Sequence, residues 1–378
     1  MIAGGSELEG ATAMIDHEIP QMEPLFGEPE RIRVDEYLRH PGFLSEYRHT
    51  AAFERAIAAF TGAKHCVVVN NGTVSLLAIG IALGLKPGDE IIVPNYTMIA
   101  SANAFRTLGV TPRFVDVERS TLCLDLDQTQ AALTGSVKAI VLVNANGRYP
   151  SYPIAALQEL ARNAGIALIE DAAQGLGSCY PDGVHVGLKG IAGSLSFSAP
   201  KIISTGQGGA VLTDDDEMAA KLRRVKDFGR DCGGLDHHPH FGLNFKFTEL
   251  QACVGIAQLE RLPGRIRRKK AICRRYENNL AGVPGIQLFA HDLRHTTPWF
   301  SDSLVEQRQA LAEFLLSRRV RTRVMYPPLN KQPIYGETVI HPVSELVGAN
   351  GLWLPSHSHL TDDEVDYVCQ SIREFYER

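Results

Sequence analysis

Apolar residues along this chain fall into two alternating rhythms. From Thr50 to Phe60 they recur at helical spacing (Phe53, Ile57, Phe60), and Gly62 ends the run. His65–Val69 is a short apolar run suited to a buried strand, and helical spacing returns over Thr73–Leu83. Further strands are predicted at Glu90–Val93, Thr111–Val115, Ala139–Val143 and Ala167–Glu170, and further helices at Ile99–Leu108, Leu126–Leu133 and Ile154–Asn163. Gly193–Ser198 and Gly209–Thr213 add two strands joined by a glycine-bearing turn, and a helix over Glu217–Asp227 follows. Short β-rich runs separated by helices build βαβ units, so the expected fold class is α/β, with a mixed, mostly parallel sheet covered on both faces.

The rhythm changes after a polar loop rich in His and Gly, Gly229–Phe241. Thr248–Arg261 reads as a long apolar helix with Pro263 just past its end, and a charged helix continues to about Leu280. The remainder, to Arg378, predicts a smaller C-terminal α/β unit. It is closed by a helix over Asp362–Tyr376, with Thr361 and Glu364 forming its capping box. The expected organisation is an N-terminal arm (1–40), a large domain (41–260) and a small C-terminal domain (261–378).

Composition narrows the function classes. At 378 residues, 44% hydrophobic and 21% charged, the chain has the proportions of a compact protein with more than one core. A net charge of −5 argues against a nucleic-acid-binding face, and the run Arg265, Arg267, Arg268, Lys269, Lys270 reads as a solvated helix surface. Seven cysteines spread singly, with no CxxC pair, are expected to be reduced thiols of a cytoplasmic protein. Met1–Glu9 lacks the features of a signal peptide, and no apolar run approaches the ~20 residues that span a bilayer, so no membrane association is expected.

Four features of the first domain bear on chemistry. Asn70-Asn71-Gly72-Thr73 lies between a strand and a helix, where free N–H groups and a glycine let an anion approach closely. Asp171 follows an apolar strand, at the sheet edge where α/β folds bind ligands. Ser196-Phe-Ser-Ala-Pro-Lys201 brings a lysine to the end of a strand of small and apolar residues, with Ser196 able to donate to a phosphate. Gly206-Gln-Gly-Gly209 then makes a turn that leaves room beside it. Singly, these features are an ordinary cap, an ordinary N-cap, a snorkelling lysine and a flexible turn. As a set in this order they suit pyridoxal 5′-phosphate (PLP). The carboxylate keeps the ring nitrogen protonated, and a desolvated lysine acts as the nucleophile.

The stretch from about Phe53 to Arg261 resembles the DegT/DnrJ/StrS-type sugar aminotransferase family of PLP enzymes, which has the aspartate aminotransferase fold. The matching motifs are Asn71-Gly72-Thr73, Pro94-Asn-Tyr-Thr-Met-Ile-Ala-Ser101, Glu170-Asp-Ala-Ala-Gln174, Ser196–Lys201 with its glycine-rich sequel, and Gly242–Ala252. Leu352-Trp-Leu-Pro-Ser-His357 is similar to the family's closing segment. The resemblance implies an aminotransferase with a Schiff base at Lys201 and Asp171 paired with the ring nitrogen. It implies Gly72, Thr73 and Ser196 on the phosphate and Gln174 near the ring hydroxyl. It implies Asn244 reaching the phosphate of a neighbouring subunit, and hence a homodimer with shared active sites. The implied substrates are glutamate as amino donor and a nucleotide-linked ketosugar as acceptor.

Several positions depart from the family pattern. Met98 stands where an aromatic ring commonly covers the cofactor, a role open to Met98 itself or to Tyr96. Gln207 stands for Glu, Lys246 for Arg, Asn144 and Asn146 lie in a segment that more often reads His-x-Tyr-Gly, and Asn330 stands for His. These changes are expected around the substrate. Rival readings are transamination of a cyclitol or other non-nucleotide ketone, a PLP-dependent sugar dehydratase (disfavoured by Lys201, which that branch replaces with His), and a catalytically silent binding protein. The His237, His238, His240 loop completes no recognised metal-ligand spacing and is expected to cross a subunit surface, so no metal is expected. Gly183–Gly187 is a turn and not a dinucleotide fingerprint. His357 and His359 remain open between structural and substrate-lining roles.

Overall fold

The computed structural model of the chain describes residues 15–377, so the reading of Met1–Glu9 and the first part of the arm lie outside the described residues. Seven strands form the main sheet: β1 (His65–Val69), β2 (Glu90–Pro94), β3 (Thr111–Val115), β4 (Val137–Val143), β5 (Ala167–Asp171), β6 (Ala192–Ser196) and β7 (Gly209–Thr213). Their order is β1-β7-β6-β5-β4-β2-β3, with β7 antiparallel to both neighbours and every other pair parallel. The carboxyl ends of the parallel strands therefore share one edge of the sheet.

Side-chain alternation explains why the strands read as continuous apolar runs. Val67, Val69, Ile91, Val93, Val141 and Ile169 pack on one face with the helices Gly72–Ala82, Ala100–Arg106 and Asp216–Lys226. Their neighbours Cys66, Val68 and Leu212 face the opposite side, against the helices Arg48–Thr61 and Glu249–Glu260. Ile92, Ile140, Leu142 and Leu168 also point that way, against the helix Ile154–Asn163. Because both faces are covered, both sets of alternating residues must be apolar. A second sheet, antiparallel throughout and ordered β10-β11-β9-β8, comprises β8 (Ile286–Leu288), β9 (Ser301–Val305), β10 (Arg323–Val324) and β11 (Gly351–Leu354). The closing helix Asp362–Tyr376 packs on it, with the expected Thr361–Glu364 capping box.

Four expectations need correction. The arm contains a helix, Glu28–Arg39, started by a proline in its first turn and by Glu30 accepting the Gly27 N–H at 2.7 Å. Its mostly polar surface hid the helical period. Thr248 is an N-cap, so its helix runs Glu249–Glu260, and Pro263 opens the next helix, Leu262–Asn279, within its first turn. Lys201 lies beyond β6, in the connection to β7 and not at a strand end. The basic run is also not uniformly solvated: Arg265 and Lys269, one helical turn apart, are buried. Arg265 donates to the carbonyls of Ile202 and Leu25 and to Gln258 Oε1, at 2.6–2.8 Å. Among the described residues no helix is long and apolar enough to cross a membrane.

Candidate active site

The carboxyl edge of the main sheet opens into a cavity of about 260 Å³. One wall is the start of the helix Gly72–Ala82. Asn71 caps it by accepting the Val74 N–H at 2.9 Å, which leaves the Gly72 and Thr73 N–H groups directed out of the helix end. Glycine is sterically required here, because a Cβ on Gly72 would lie 2.8 Å from Ser196 Cβ and 3.0 Å from its Oγ. Gly209 does the same for β7, where a Cβ would come within 2.5 Å of the Asn71 carbonyl. Two glycines thus bring a helix N-terminus and the Ser196 hydroxyl together as an anion cradle.

Asp171 ends β5, and strand alternation sends it and Glu170 to opposite faces. Glu170 is consumed by structure, accepting from Tyr180 Oη and from the N–H groups of Gly187, Lys189 and Gly190. Asp171 instead lines the cavity. Its Oδ2 accepts from Ser101 Oγ at 2.6 Å and its Oδ1 from the Ala173 N–H at 3.1 Å. Burial pushes its carboxyl above the usual range, while the two hydrogen bonds and the charge of Lys201 pull it back toward ionisation.

Lys201 enters the same cavity. Burial pushes its amine down to about 7; Asp171 opposes that shift and Arg323 reinforces it. The Nζ lies 3.8 Å from the centroid of the Trp299 ring. A carboxylate held for a cation, a desolvated amine and an anion cradle therefore converge, which is the equipment for covalent chemistry on a phosphorylated heteroaromatic ring.

The structure brings Gly72, Thr73, Met98, Asp171, Gln174, Ser196 and Lys201 together around the cavity. Gln174 also accepts the Asn146 N–H at 2.6 Å. Asn244 does not line the cavity of its own chain; it is exposed, and its Oδ1 accepts the Lys246 N–H at 3.3 Å. Of the departures expected around the substrate, only Met98 and Gln207 line the cavity. Asn144, Asn146 and Asn330 are buried, Asn330 pairing with Asn95, while Lys246 pairs with Asp227 at 2.7 Å. Tyr96 is buried against Tyr326 and does not cover the cavity. His237, His238 and His240 are exposed, whereas His357 is buried and His359 pairs with Glu23, both away from the cavity.

Thr97, Trp299, Arg323 and Tyr326 also line the cavity and Ser101 supports it, and sequence reasoning assigned a role to none of them. Thr97 and Ser101 lie inside the Pro94–Ser101 motif, and the local signal for Trp299 is that it is one of only two tryptophans. Arg323 had no local signal; only the fold of the C-terminal sheet carries it to the site.

Comparison with known proteins agrees with this geometry. The family model described as DegT/DnrJ/EryC1/StrS aminotransferase family matches residues 26–373. GDP-perosamine synthase of Escherichia coli O157:H7 is 33% identical, over 95% of this chain and 98% of that protein. The UDP-2-acetamido-2-deoxy-3-oxo-D-glucuronate aminotransferase of Pseudomonas aeruginosa is 31% identical, over 90% and 94%. The crystal structure of DesI in the presence of its TDP-sugar product superposes with a TM-score of 0.88 at 30% identity, covering 98% of this chain and 95% of that one.

Proposed function

The chain belongs to the DegT/DnrJ/EryC1/StrS aminotransferase family and is a PLP-dependent transaminase, and from that premise we propose that it moves an amino group from glutamate to the keto group of a nucleotide-linked sugar. The observation that carries this reading is the convergence of the desolvated Lys201 amine, the Asp171 carboxylate and the Gly72–Ser196 cradle in one cavity. Relatives named for GDP-, UDP- and TDP-linked sugars support the acceptor class and leave the nucleotide base open.

The residues present fit PLP. Without Gly72 the cradle would be filled, and the Asp171 carboxylate has spare acceptor capacity beside a cation. When bound, PLP supplies the electron sink that stabilises negative charge at the substrate carbon. The Gly72 and Thr73 N–H groups and Ser196 Oγ would hold its phosphate, Asp171 its ring nitrogen and Gln174 the ring hydroxyl, with Met98 over the ring. Lys201 would be the point of covalent attachment. With substrate in its place, the free amine would take the proton from the substrate carbon and return it. An amine brought down to about 7 divides between its two protonation states near neutral pH, as proton shuttling requires.

Arg323 is the only cation besides Lys201 among the lining residues and makes no ion pair with the described residues, so it is available to an anionic substrate group. Asn244 would complete the neighbouring subunit's phosphate site in a homodimer, which its exposure in its own chain permits.

The direct experiment incubates the purified protein with glutamate and GDP-, UDP- and TDP-linked ketosugars and follows amino-sugar formation by mass spectrometry. Amination of at least one is expected. Amination of a cyclitol ketone with none of the nucleotide sugars would replace the acceptor class. Failure of glutamate to aminate the cofactor would remove glutamate as donor.

A further inference from the structure

The surroundings of Trp299 carry a role that family membership does not supply. Its ring face lies 3.8 Å from Lys201 Nζ, while its Nε1 donates to the carbonyl of Pro200 at 2.8 Å. The indole therefore holds the backbone immediately before Lys201 and also lies under the amine at the far end of that side chain. A ring chosen only to fill space would need neither contact.

The ring is itself fixed from several directions. The Trp299 N–H donates to the Asn146 carbonyl at 3.3 Å, and the Asn146 amide pairs with both backbone groups of Phe300, at 2.6 and 2.7 Å. Phe300 stacks on the indole at 3.9 Å between centroids, and Trp353 meets it edge-on at 5.8 Å. The Trp299 carbonyl accepts from Lys269 Nζ at 2.6 Å, and the same amine, pushed down to about 7 by burial, reaches the Ser356 carbonyl. Lys269 is 3% exposed and makes no ion pair among the described residues. A buried lysine without a counter-ion is costly and needs an offsetting purpose. Here it ties the helix Leu262–Asn279, the Trp299 segment and the Ser356 segment into one support.

We propose that Trp299 is a positioning residue for transamination, its indole face seating the Lys201 amine whenever that amine is not joined to another group, with Lys269 fixing the seat from behind. This rests on the reading of Lys201 as the lysine of attachment. The negative face of an indole attracts an ammonium and does so most strongly where water is excluded. The other charged or titratable groups lining the cavity are Asp171, Arg323 and Tyr326. Asp171 favours the ammonium and Arg323 opposes it. The indole adds to the Asp171 side of that balance. It limits how far burial depresses the amine, and it holds the Nζ in one place between the two halves of the reaction.

The test measures Lys201 protonation directly in the full chain bearing pyridoxamine 5′-phosphate, in which Lys201 is free. Trace acetic anhydride labelling as a function of pH, with peptide mass spectrometry, reports the fraction of unprotonated amine. In Trp299→Leu, half-protonation of Lys201 should require about a tenfold higher proton concentration than in the unaltered protein, and in Trp299→Phe an intermediate value. Lys269→Met should shift the profile the same way, and Lys269→Arg should restore part of it. A Trp299→Phe profile superimposing on that of the unaltered protein would reduce Trp299 to packing, and that variant keeps the test open if the leucine variant fails to fold. Borohydride mapping of the unaltered holoenzyme tests the underlying reading separately: cofactor fixed to another lysine would remove that reading and leave the labelling comparison valid.

Discussion

Ser101 Oγ donates a 2.6 Å hydrogen bond to Asp171 Oδ2, and both residues are buried, Asp171 lining the cavity and Ser101 supporting it. The bond favours the charged carboxylate against burial, which disfavours it. Asp171→Asn should keep the fold and lose at least about 10²-fold in turnover, the scale of one preorganised electrostatic contact. Ser101→Ala should raise the carboxyl's pKa further, so the acidic limb of the pH–rate profile moves to higher pH. Near-normal turnover in Asp171→Asn would assign Asp171 a purely structural role.

Lys201 should be the lysine that borohydride fixes to the cofactor, as mapped by peptide mass spectrometry. Lys201→Ala should abolish transamination and still bind the cofactor noncovalently, because the cradle and Asp171 are untouched. Loss of both in a correctly folded variant would mean that Lys201 contributes mainly to binding.

The Glu249 carboxylate accepts from the N–H groups of Tyr47, His49 and Thr50 and from Thr50 Oγ1, joining two helices of the large sheet's outer face. Burial works against its charge, but these bonds prevail and hold it below the ordinary range of 4.5. Glu249→Gln turns an amide toward those donors and should cost about 1–3 kcal/mol. A depressed carboxyl stabilises the fold above its unfolded pKa and ceases to do so as pH falls through the folded value. Melting curves should therefore show a gap between variant and parent at pH 7 that narrows below 4.5. A gap independent of pH would contradict the assignment.

Asn244 offers a test of shared sites. If Asn244 completes the neighbouring subunit's site, mixing Lys201→Ala and Asn244→Ala chains would place both lesions in one site of a mixed dimer and leave the other site intact. Random pairing of two inactive homodimers should then recover roughly a quarter of the parent activity. No recovery in verified mixed dimers would confine Asn244 to its own chain.

The legible part of the site was local. Asp171 is legible because it sits where an apolar strand gives way to a loop, Lys201 because a short motif of small and apolar residues leads into it, and Gly72 because a strand, a glycine and a helix follow in sequence. Arg265 and Lys269 were misread for the converse reason. A basic run looks solvated until another segment covers two of its members. The helix Glu28–Arg39 was hidden because its exposed, mostly polar surface shows little period.

The sequence alone determined the alternation of strands and helices, the covering of the main sheet on both faces, and the order along the chain of Gly72, Asp171, Ser196 and Lys201, which line one cavity. These are written in short-range periodicity and in short local motifs. Only the tertiary structure decided that Trp299, Arg323 and Tyr326 reach the same cavity, that Asn330 and Tyr96 do not line it, and that Lys269 stands buried behind Trp299. Those facts depend on how two sheets meet, which sets the distances between remote side chains and the water left around each amine. Desolvation is a property of the packed assembly, so no window of sequence encodes it.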